Sequence, residues 1–160
     1  MAWLTLVALS IAFSVLPALA PAEAADDRGT NQRHVVRVVD GDTLVLDGKE
    51  RLRLIGVDTP ETKHPRKPVE YFGPEATAFV RRLVEGTNVR LIYDQQRRDR
   101  YRRTLAYVEL ADGRLLNEEI IRQGYGHAYT KYPFNPEMME RFRAAEREAR
   151  AHGLGLWARR

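Results

Sequence analysis

Short runs of apolar and polar residues in the first half of the chain follow the pattern of β-strands. His34–Val39 and Thr43–Leu46 are rich in β-branched residues and are separated by a glycine-containing turn. Arg51–Ile55 alternates basic and apolar side chains, which is typical of a strand with one buried face. The Asp47-Gly48 pair between them is a hairpin signal. These segments predict three consecutive antiparallel strands.

The apolar period changes to that of a helix further along the chain. Apolar residues from Ala76 to Leu83 recur at helical spacing, with Gly73-Pro74 at the start and Gly86 at the end. The later elements predicted in this way are strands over residues 88–93 and 105–110, a short helix over residues 115–123, and a charged helix that carries Met138, Phe142, Ala145 and Ala149 on one face and ends near Gly153. Five strands with a helix after the third predict an α+β fold, namely a five-stranded Greek-key β-barrel of the OB type flanked by three helices.

The N-terminal segment has a different composition. Residues 2–20 form an almost unbroken apolar run, followed by the small-x-small sequence Ala22-Glu23-Ala24. This pattern predicts a signal peptide over residues 1–24, a flexible polar tether over residues 25–32 and a folded domain over residues 33–160. The run is also long enough for one membrane span, so an uncleaved anchor is the alternative. Either way the domain is expected outside the cytoplasm, secreted or periplasmic.

The composition of the chain excludes several kinds of chemistry. The chain has 160 residues and no cysteine, which excludes disulfides, thiolate catalysis and cysteine-bound zinc. Its 26 Lys and Arg against 22 Asp and Glu give a formal net charge of +4, a balance that suits polyanions without proving that one binds. The densest basic cluster consists of Arg97, Arg98, Arg100, Arg102 and Arg103. A charge run of this kind is usually a solvated loop.

A few polar residues outside that cluster indicate a reaction. Asp42 and Asp58 follow strand-like segments, and Glu61 lies close behind the second of them. Oxygen ligands of this kind select Ca²⁺ or Mg²⁺ over zinc or copper. Arg53 and Arg103 each offer a planar fork that donates two hydrogen bonds to phosphate oxygens. Each residue alone fits a turn, a rigid loop or an exposed strand, but together they predict phosphodiester cleavage.

The same residues carry a resemblance to the staphylococcal nuclease (thermonuclease) family. The segments concerned are Val39-Asp40-Gly41-Asp42-Thr43, residues 53–65 with Asp58-Thr59-Pro60-Glu61-Thr62 among them, residues 71–76, residues 103–107, Asn117-Glu118, Arg122-Gln123-Gly124 and residues 154–157. They occur in the family's order from about Val35 to Trp157, and the Asp-Thr-Pro-Glu-Thr segment with both arginines in register is highly specific.

What the resemblance implies is a Ca²⁺-dependent endonuclease that acts on DNA and RNA and leaves 3′-phosphate ends. Asp42 and Asp58 would bind Ca²⁺ through their side chains and Thr59 through its carbonyl, while Asp40 need not be a ligand. Arg53 and Arg103 would bind the scissile phosphate. Glu61 would orient or deprotonate the attacking water, although activation of that water by the metal is an alternative to Glu61 as the base.

Substrate-binding residues are carried over in the same way. Tyr101, Tyr129 and Tyr132 match tyrosines that would pack on bases and sugars, which suits a nonspecific enzyme because ring stacking tolerates any base. Arg66 and Lys67 would contact the nucleic-acid backbone from a loop beside the site. The chain departs from the family where glycines commonly flank the second arginine, because Arg102 and Thr104 stand there.

A noncatalytic nucleic-acid or protein binding module on the same barrel is the alternative function. Such modules usually lack the carboxylate and arginine set, and this chain keeps Asp42, Asp58, Glu61, Arg53 and Arg103. The predicted partners are DNA and RNA substrates. The sequence also predicts a monomer without an obligate protein partner, and membrane contact only through an uncleaved signal.

Overall fold

The computed structural model describes residues 31–63 and 68–158. The predicted signal peptide and nearly all of the predicted tether lie outside the described residues, as do Arg66 and Lys67. Within the described ranges, no helix has the length and apolar character needed to cross a bilayer.

Seven strands and three α-helices make up the described chain. The strands are β1 (Gln32–Asp40), β2 (Thr43–Leu46), β3 (Arg51–Leu54), β4 (Val57–Asp58), β5 (Asn88–Ile92), β6 (Thr104–Glu109) and β7 (His127–Ala128). The helices are α1 (Gly73–Val84), α2 (Leu116–Arg122) and α3 (Pro136–Ala151), and single 3₁₀ turns occupy Asp47–Lys49 and Gly155–Trp157.

Five of these strands form a closed barrel in the order β1-β2-β3-β6-β5. β1 closes it by pairing antiparallel with both β2 and β5. β3 and β6 run parallel, and the remaining neighbours are antiparallel. Closure removes exposed sheet edges. The predicted α+β fold with a five-stranded OB-type barrel and three helices is confirmed.

The barrel core follows from the alternation in the strands. In β3, Leu52 and Leu54 are buried while Arg51 is exposed. Phe142 of α3 is fully buried and packs close to Gly56, in the turn that follows β3. Gly56 has a φ of 70°, which favours glycine. A Cβ added at this position would lie 2.7 Å from the Phe142 ring, so only glycine fits here.

Two local features differ from the sequence predictions. The Asp47-Gly48 hairpin is present, but its connection is a 3₁₀ turn in which Gly48 and Lys49 both have positive φ, rather than a two-residue loop. The short antiparallel pair β4 and β7 was not predicted at all. Two-residue strands have no detectable period, so sequence patterns cannot identify them.

Candidate active site

A cleft of about 840 Å³ lies where the end of β3 meets two loops. The first loop contains a β-hairpin of residues 97–105, here called the arginine hairpin, and the second covers residues 129–136. Six of the predicted site residues line this cleft: Arg53, Asp58, Tyr101, Arg103, Tyr129 and Tyr132. The fold therefore brings together residues that are up to 79 positions apart in the chain, from 53 to 132.

Asp94 ties both loops to the barrel. Its Oδ2 accepts hydrogen bonds from the Tyr107 hydroxyl of β6 at 2.6 Å and from the Asn135 backbone N–H at 2.8 Å. Burial opposes ionisation of Asp94, but these bonds outweigh burial and lower its pKa. Burial and the Asp94 carboxylate together raise the pKa of Tyr107. The carboxylate is thus a fixed anion that holds both walls of the cleft.

Arg53 extends from β3 into the cleft and is held on several sides. Its Nη1 donates to the carbonyl of Val57 at 2.6 Å and to that of Leu54 at 3.1 Å. Its Nη2 lies 3.0 Å from Asp58 Oδ1 and 3.1 Å from Asp42 Oδ2. The side chain is only 15% exposed. Arg53 is therefore more restrained than the exposed strand residue that the alternating pattern allowed.

Asp42 and Asp58 both contact that guanidinium, and Thr59 is bonded to Asp42. Asp42 is buried, accepts the Thr43 hydroxyl at 2.9 Å through Oδ1, and accepts the Thr59 backbone N–H at 3.1 Å through Oδ2. Burial and the neighbouring Asp42 carboxylate raise the pKa of Asp58 despite the attraction of Arg53. Two carboxylates in this position repel each other, and a cation between them would relieve that repulsion.

Two further observations bear on a metal. The buried Oγ1 of Thr59 has no hydrogen-bond partner within the described chain, and an added Cβ on Gly41 would lie 2.8 Å from the Thr59 side chain. Gly41 thus permits the close approach that brings Thr59 to Asp42. The described residues hold no group of three or more His, Cys, Asp or Glu side chains suited to a metal. The residues fit a hard cation held by two carboxylates and backbone oxygen, not a cage of acidic side chains.

Glu61 lies in the loop after β4 and does not line the cleft in the described structure. Its Oε1 accepts the backbone N–H of Lys63 at 2.8 Å, and its own N–H donates to Glu70 Oε2 at 3.0 Å. Asp40 is bound to the Thr62 hydroxyl of the same loop. The predicted base is thus close in sequence to Asp58 but is bonded within its own loop.

Arg103 is oriented by a residue that sequence reasoning missed, Asp99. The Arg103 Nε donates to Asp99 Oδ2 at 2.6 Å, and the backbone N–H groups of Arg103 and Tyr101 donate to Oδ1, each at 2.9 Å. Burial opposes ionisation of Asp99, but the bonds from Arg103 outweigh it and lower the pKa of Asp99. The sequence offered one signal for this ion pair: Asp99 and Arg103 are four positions apart in a segment that forms a turn.

The three predicted tyrosines form the outer walls of the cleft. Tyr101 is 63% exposed, and the Arg103 guanidinium carbon lies 5.5 Å from its ring centroid. Tyr132 is 59% exposed, and its ring centroid lies 6.0 Å from that of Tyr129. The Tyr129 backbone N–H donates to the carbonyl of Gly56 at 2.9 Å, which fixes this wall against the turn after β3. Exposed rings beside two guanidinium groups suit a ligand with both bases and phosphates.

The family model described as Staphylococcal nuclease homologue matches residues 51–159. The chain belongs to the staphylococcal nuclease family. It is 39% identical over 158 residues to a thermonuclease of Staphylococcus hyicus, covering 96% of this chain and 91% of that protein. It is 41% identical over 128 residues to a thermonuclease of Staphylococcus intermedius, covering 78% and 75% of the two chains. An endonuclease of Bacillus subtilis, YncB, is 34% identical over 146 residues, covering 86% and 69%.

Family membership confirms the resemblance inferred from the motifs. The family model begins at Arg51, so it covers β3 onward, including Arg53, the loop with Glu61 and the whole arginine hairpin. Asp42 precedes the matched segment but lies within the barrel and contacts Arg53. All the residues that line the cleft therefore lie within the segment that the family model matches.

Replacing Asp99 by asparagine should lower DNA cleavage at neutral pH by about 10- to 100-fold, because Arg103 loses its charged partner and its fixed orientation. Single-turnover cleavage rates of the two proteins measure this effect. A matched control is Asp112→Asn, which removes a similar ion pair, to Arg114, away from the cleft lining. An Asp99→Asn rate equal to that of the control would show that Arg103 needs no such support.

Asp99 also makes stability depend on pH in a known direction. Its pKa is lowered in the folded protein, so its contribution is fully present above the unfolded-state pKa of about 3.9 and is lost as the pH falls through the folded-state pKa. Urea unfolding at a series of pH values should therefore show a smaller acid-induced loss of stability for Asp99→Asn than for the wild type. An identical pH dependence would contradict the assignment.

Proposed function

We propose that this chain is a Ca²⁺-dependent endonuclease that hydrolyses phosphodiester bonds of DNA and RNA with little sequence preference and leaves 3′-phosphate ends. The observation that carries the proposal is the convergence of Arg53, Arg103 and Asp58 on one cleft walled by exposed tyrosines. Its named relatives, two thermonucleases and an endonuclease, support the reaction class.

The two arginines would act on the scissile phosphate. A phosphodiester resists hydrolysis because its negative charge repels a nucleophile. In the transition state that charge is spread over the equatorial oxygens, where it must be stabilised. Arg53 comes from a barrel strand and Arg103 from the arginine hairpin, so the two guanidinium groups approach the cleft from different elements. Charge-assisted bonds from both would hold the phosphate and stabilise the transition state.

The metal would be held by the Asp42 and Asp58 carboxylates and the Thr59 carbonyl. A hard cation such as Ca²⁺ is favoured because the donors are oxygens and because a cation would offset the repulsion between the two carboxylates. When bound, the ion supplies positive charge beside the phosphate. The Arg53 guanidinium, which already lies between the two aspartates, would then be released in part toward substrate.

Glu61 is proposed to orient or deprotonate the attacking water. Its carboxylate is bonded to the Lys63 backbone, so a rearrangement of the loop after β4 is needed before it serves the cleft. Tyr101, Tyr129 and Tyr132 would stack on bases or sugars without selecting a sequence. Arg66 and Lys67 are proposed to contact the nucleic-acid backbone from the same loop as Glu61.

The apolar N-terminal run supports export. We propose that residues 1–24 are removed, that the predicted tether from residue 25 ends where β1 begins at Gln32, and that the domain acts as a monomer outside the cytoplasm, secreted or periplasmic. The intact mass of the exported protein tests the processing, because a chain that retains Met1 would contradict it.

Metal removal is the decisive test of the function. The purified protein should degrade plasmid DNA and a single-stranded RNA in Ca²⁺, lose all activity in EDTA, and regain it when Ca²⁺ is added back. End analysis of a labelled oligonucleotide should show 3′-phosphate. A folded protein that binds DNA but cuts none in Ca²⁺, Mg²⁺ or Mn²⁺ would instead be a noncatalytic module on the same barrel.

A further inference from the structure

The tip of the arginine hairpin has an unusual backbone. Its arms pair through Leu105 N–H to the Arg97 carbonyl at 2.9 Å and Asp99 N–H to the Arg103 carbonyl at 3.1 Å. The Arg102 N–H donates back to the Asp99 carbonyl at 3.0 Å, which closes a loop of three residues. Loops of this length normally end on a residue in the left-handed region that forms a β-bulge, and glycine is the residue suited to it.

Arg102 occupies that position with a φ of 64°. Only Lys49 and Phe72 share a positive φ with it among the non-glycine residues of the described structure. A side chain with a Cβ is disfavoured there relative to glycine. An arginine therefore stands where the backbone would be more stable with no side chain, and such an outlier calls for a functional explanation.

The surroundings of Arg102 supply a functional explanation for an arginine at this position. The side chain is exposed and makes no ion pair in the part of the chain that the structure describes, whereas its neighbour Arg103 is bonded to Asp99. Arg102 itself does not line the cleft, but Tyr101 and Arg103 on either side of it do. Arg100, across the tip, is bonded to the Tyr101 hydroxyl at 2.6 Å. Arg102 thus adds an exposed positive charge, without an ion pair among the described residues, between two residues that line the cleft.

We infer that Arg102 binds a backbone phosphate of the polynucleotide outside the cleft, beyond the scissile phosphate. The inference rests on the proposed function, since it extends the same substrate path from the cleft over the hairpin tip. A guanidinium that has no internal acidic partner is available to a phosphate and binds it by releasing counterions. Arg102 would then favour long polynucleotides over dinucleotides, which end before they reach the tip.

The test separates charge from backbone conformation. Arg102→Gly removes the charge and also removes the strain of a side chain at positive φ. Arg102→Lys keeps the charge and that strain. Binding of a 20-residue single-stranded DNA in EDTA, where no cleavage is expected, is measured across a tenfold range of salt. The ratio of the wild-type binding constant to that of Arg102→Gly should fall about fivefold as the salt concentration rises over that range. This is the change expected from the loss of one phosphate contact. Arg102→Lys should keep the wild-type salt dependence.

Two further readouts make the result specific. Arg102→Gly should bind a dinucleotide as wild type does, and its urea midpoint should rise because glycine suits the left-handed position. The control for net charge is Arg82→Gln, which removes an exposed arginine of α1 outside the cleft. It should leave the salt dependence unchanged.

Three results would overturn the inference: an Arg102→Gly salt dependence equal to that of the wild type, an equal change in Arg82→Gln, or a wild type that binds no polynucleotide. A wild type that binds but never cleaves DNA would instead overturn the proposed function. In that case the salt dependence of Arg102→Gly would still decide whether Arg102 binds phosphate.

Discussion

Arg53→Ala is expected to lower kcat/KM for DNA cleavage by about 10³-fold or more. Removal of one donor that stabilises developing charge typically costs about 10²- to 10³-fold, and loss of an arginine that stabilises a transferring phosphoryl group can cost about 10³- to 10⁵-fold. Arg53 is the one guanidinium in the described cleft that also contacts both aspartates proposed to bind the metal. Its loss would therefore affect phosphate and metal together. Single-turnover cleavage under Ca²⁺ saturation measures the chemical step.

The same variant should also lose stability, because Arg53 is part of the protein's internal bonding. Alanine would leave the buried Asp42 without its cation and the Val57 carbonyl without its donor, at a cost of about 2–4 kcal/mol. Rates must therefore be compared where urea or thermal unfolding shows that both proteins are folded. Arg53→Lys is the matched control, since it keeps the charge but cannot form the fork. Full activity of folded Arg53→Ala would refute the role of Arg53 in the site.

Sequence periodicity predicted the barrel because burial in it is one-sided. Leu52 and Leu54 point into the core while Arg51 faces solvent, so the alternation in β3 could be identified directly. The hairpin before it was predicted, but its 3₁₀ form depends on the positive φ of Lys49, a residue that has no such preference. The pairing of β4 with β7 depends on tertiary position, because Val57 and Ala128 are paired although they lie 71 positions apart in the chain.

The candidate site was predictable as a set of residue types but not as a set of contacts. Motifs identified Asp42, Asp58 and both arginines, yet nothing in the local sequence indicates that the Arg53 guanidinium also donates to the Val57 carbonyl. Asp99 was missed because its role is to orient Arg103 across a turn. Such supporting bonds run between side chain and backbone, and residue type alone does not specify them.

Glu61→Gln is expected to lower kcat by about 10²- to 10⁴-fold, the range that a positioned general base contributes. Glutamine preserves the size of the side chain and can still accept the Lys63 N–H that Glu61 accepts at 2.8 Å, so the loop should keep its conformation. The loss would then be chemical rather than structural. The measurement is the pH dependence of kcat/KM for both proteins from about pH 4 to pH 10.

The shape of the two profiles shows whether the rate depends on the Glu61 carboxylate. If that carboxylate deprotonates or orients the water, Glu61→Gln should lack any loss of rate at acidic pH that the wild type shows, because glutamine cannot replace a carboxylate in either role. If the water is activated without Glu61, the variant should keep the wild-type pH profile and lose only a constant factor. Glu70→Gln is the control, since Glu70 Oε2 accepts the Glu61 backbone N–H but lies outside the predicted catalytic set. A Glu70→Gln variant as slow as Glu61→Gln would mean that loop conformation, not the Glu61 carboxylate, determines the rate.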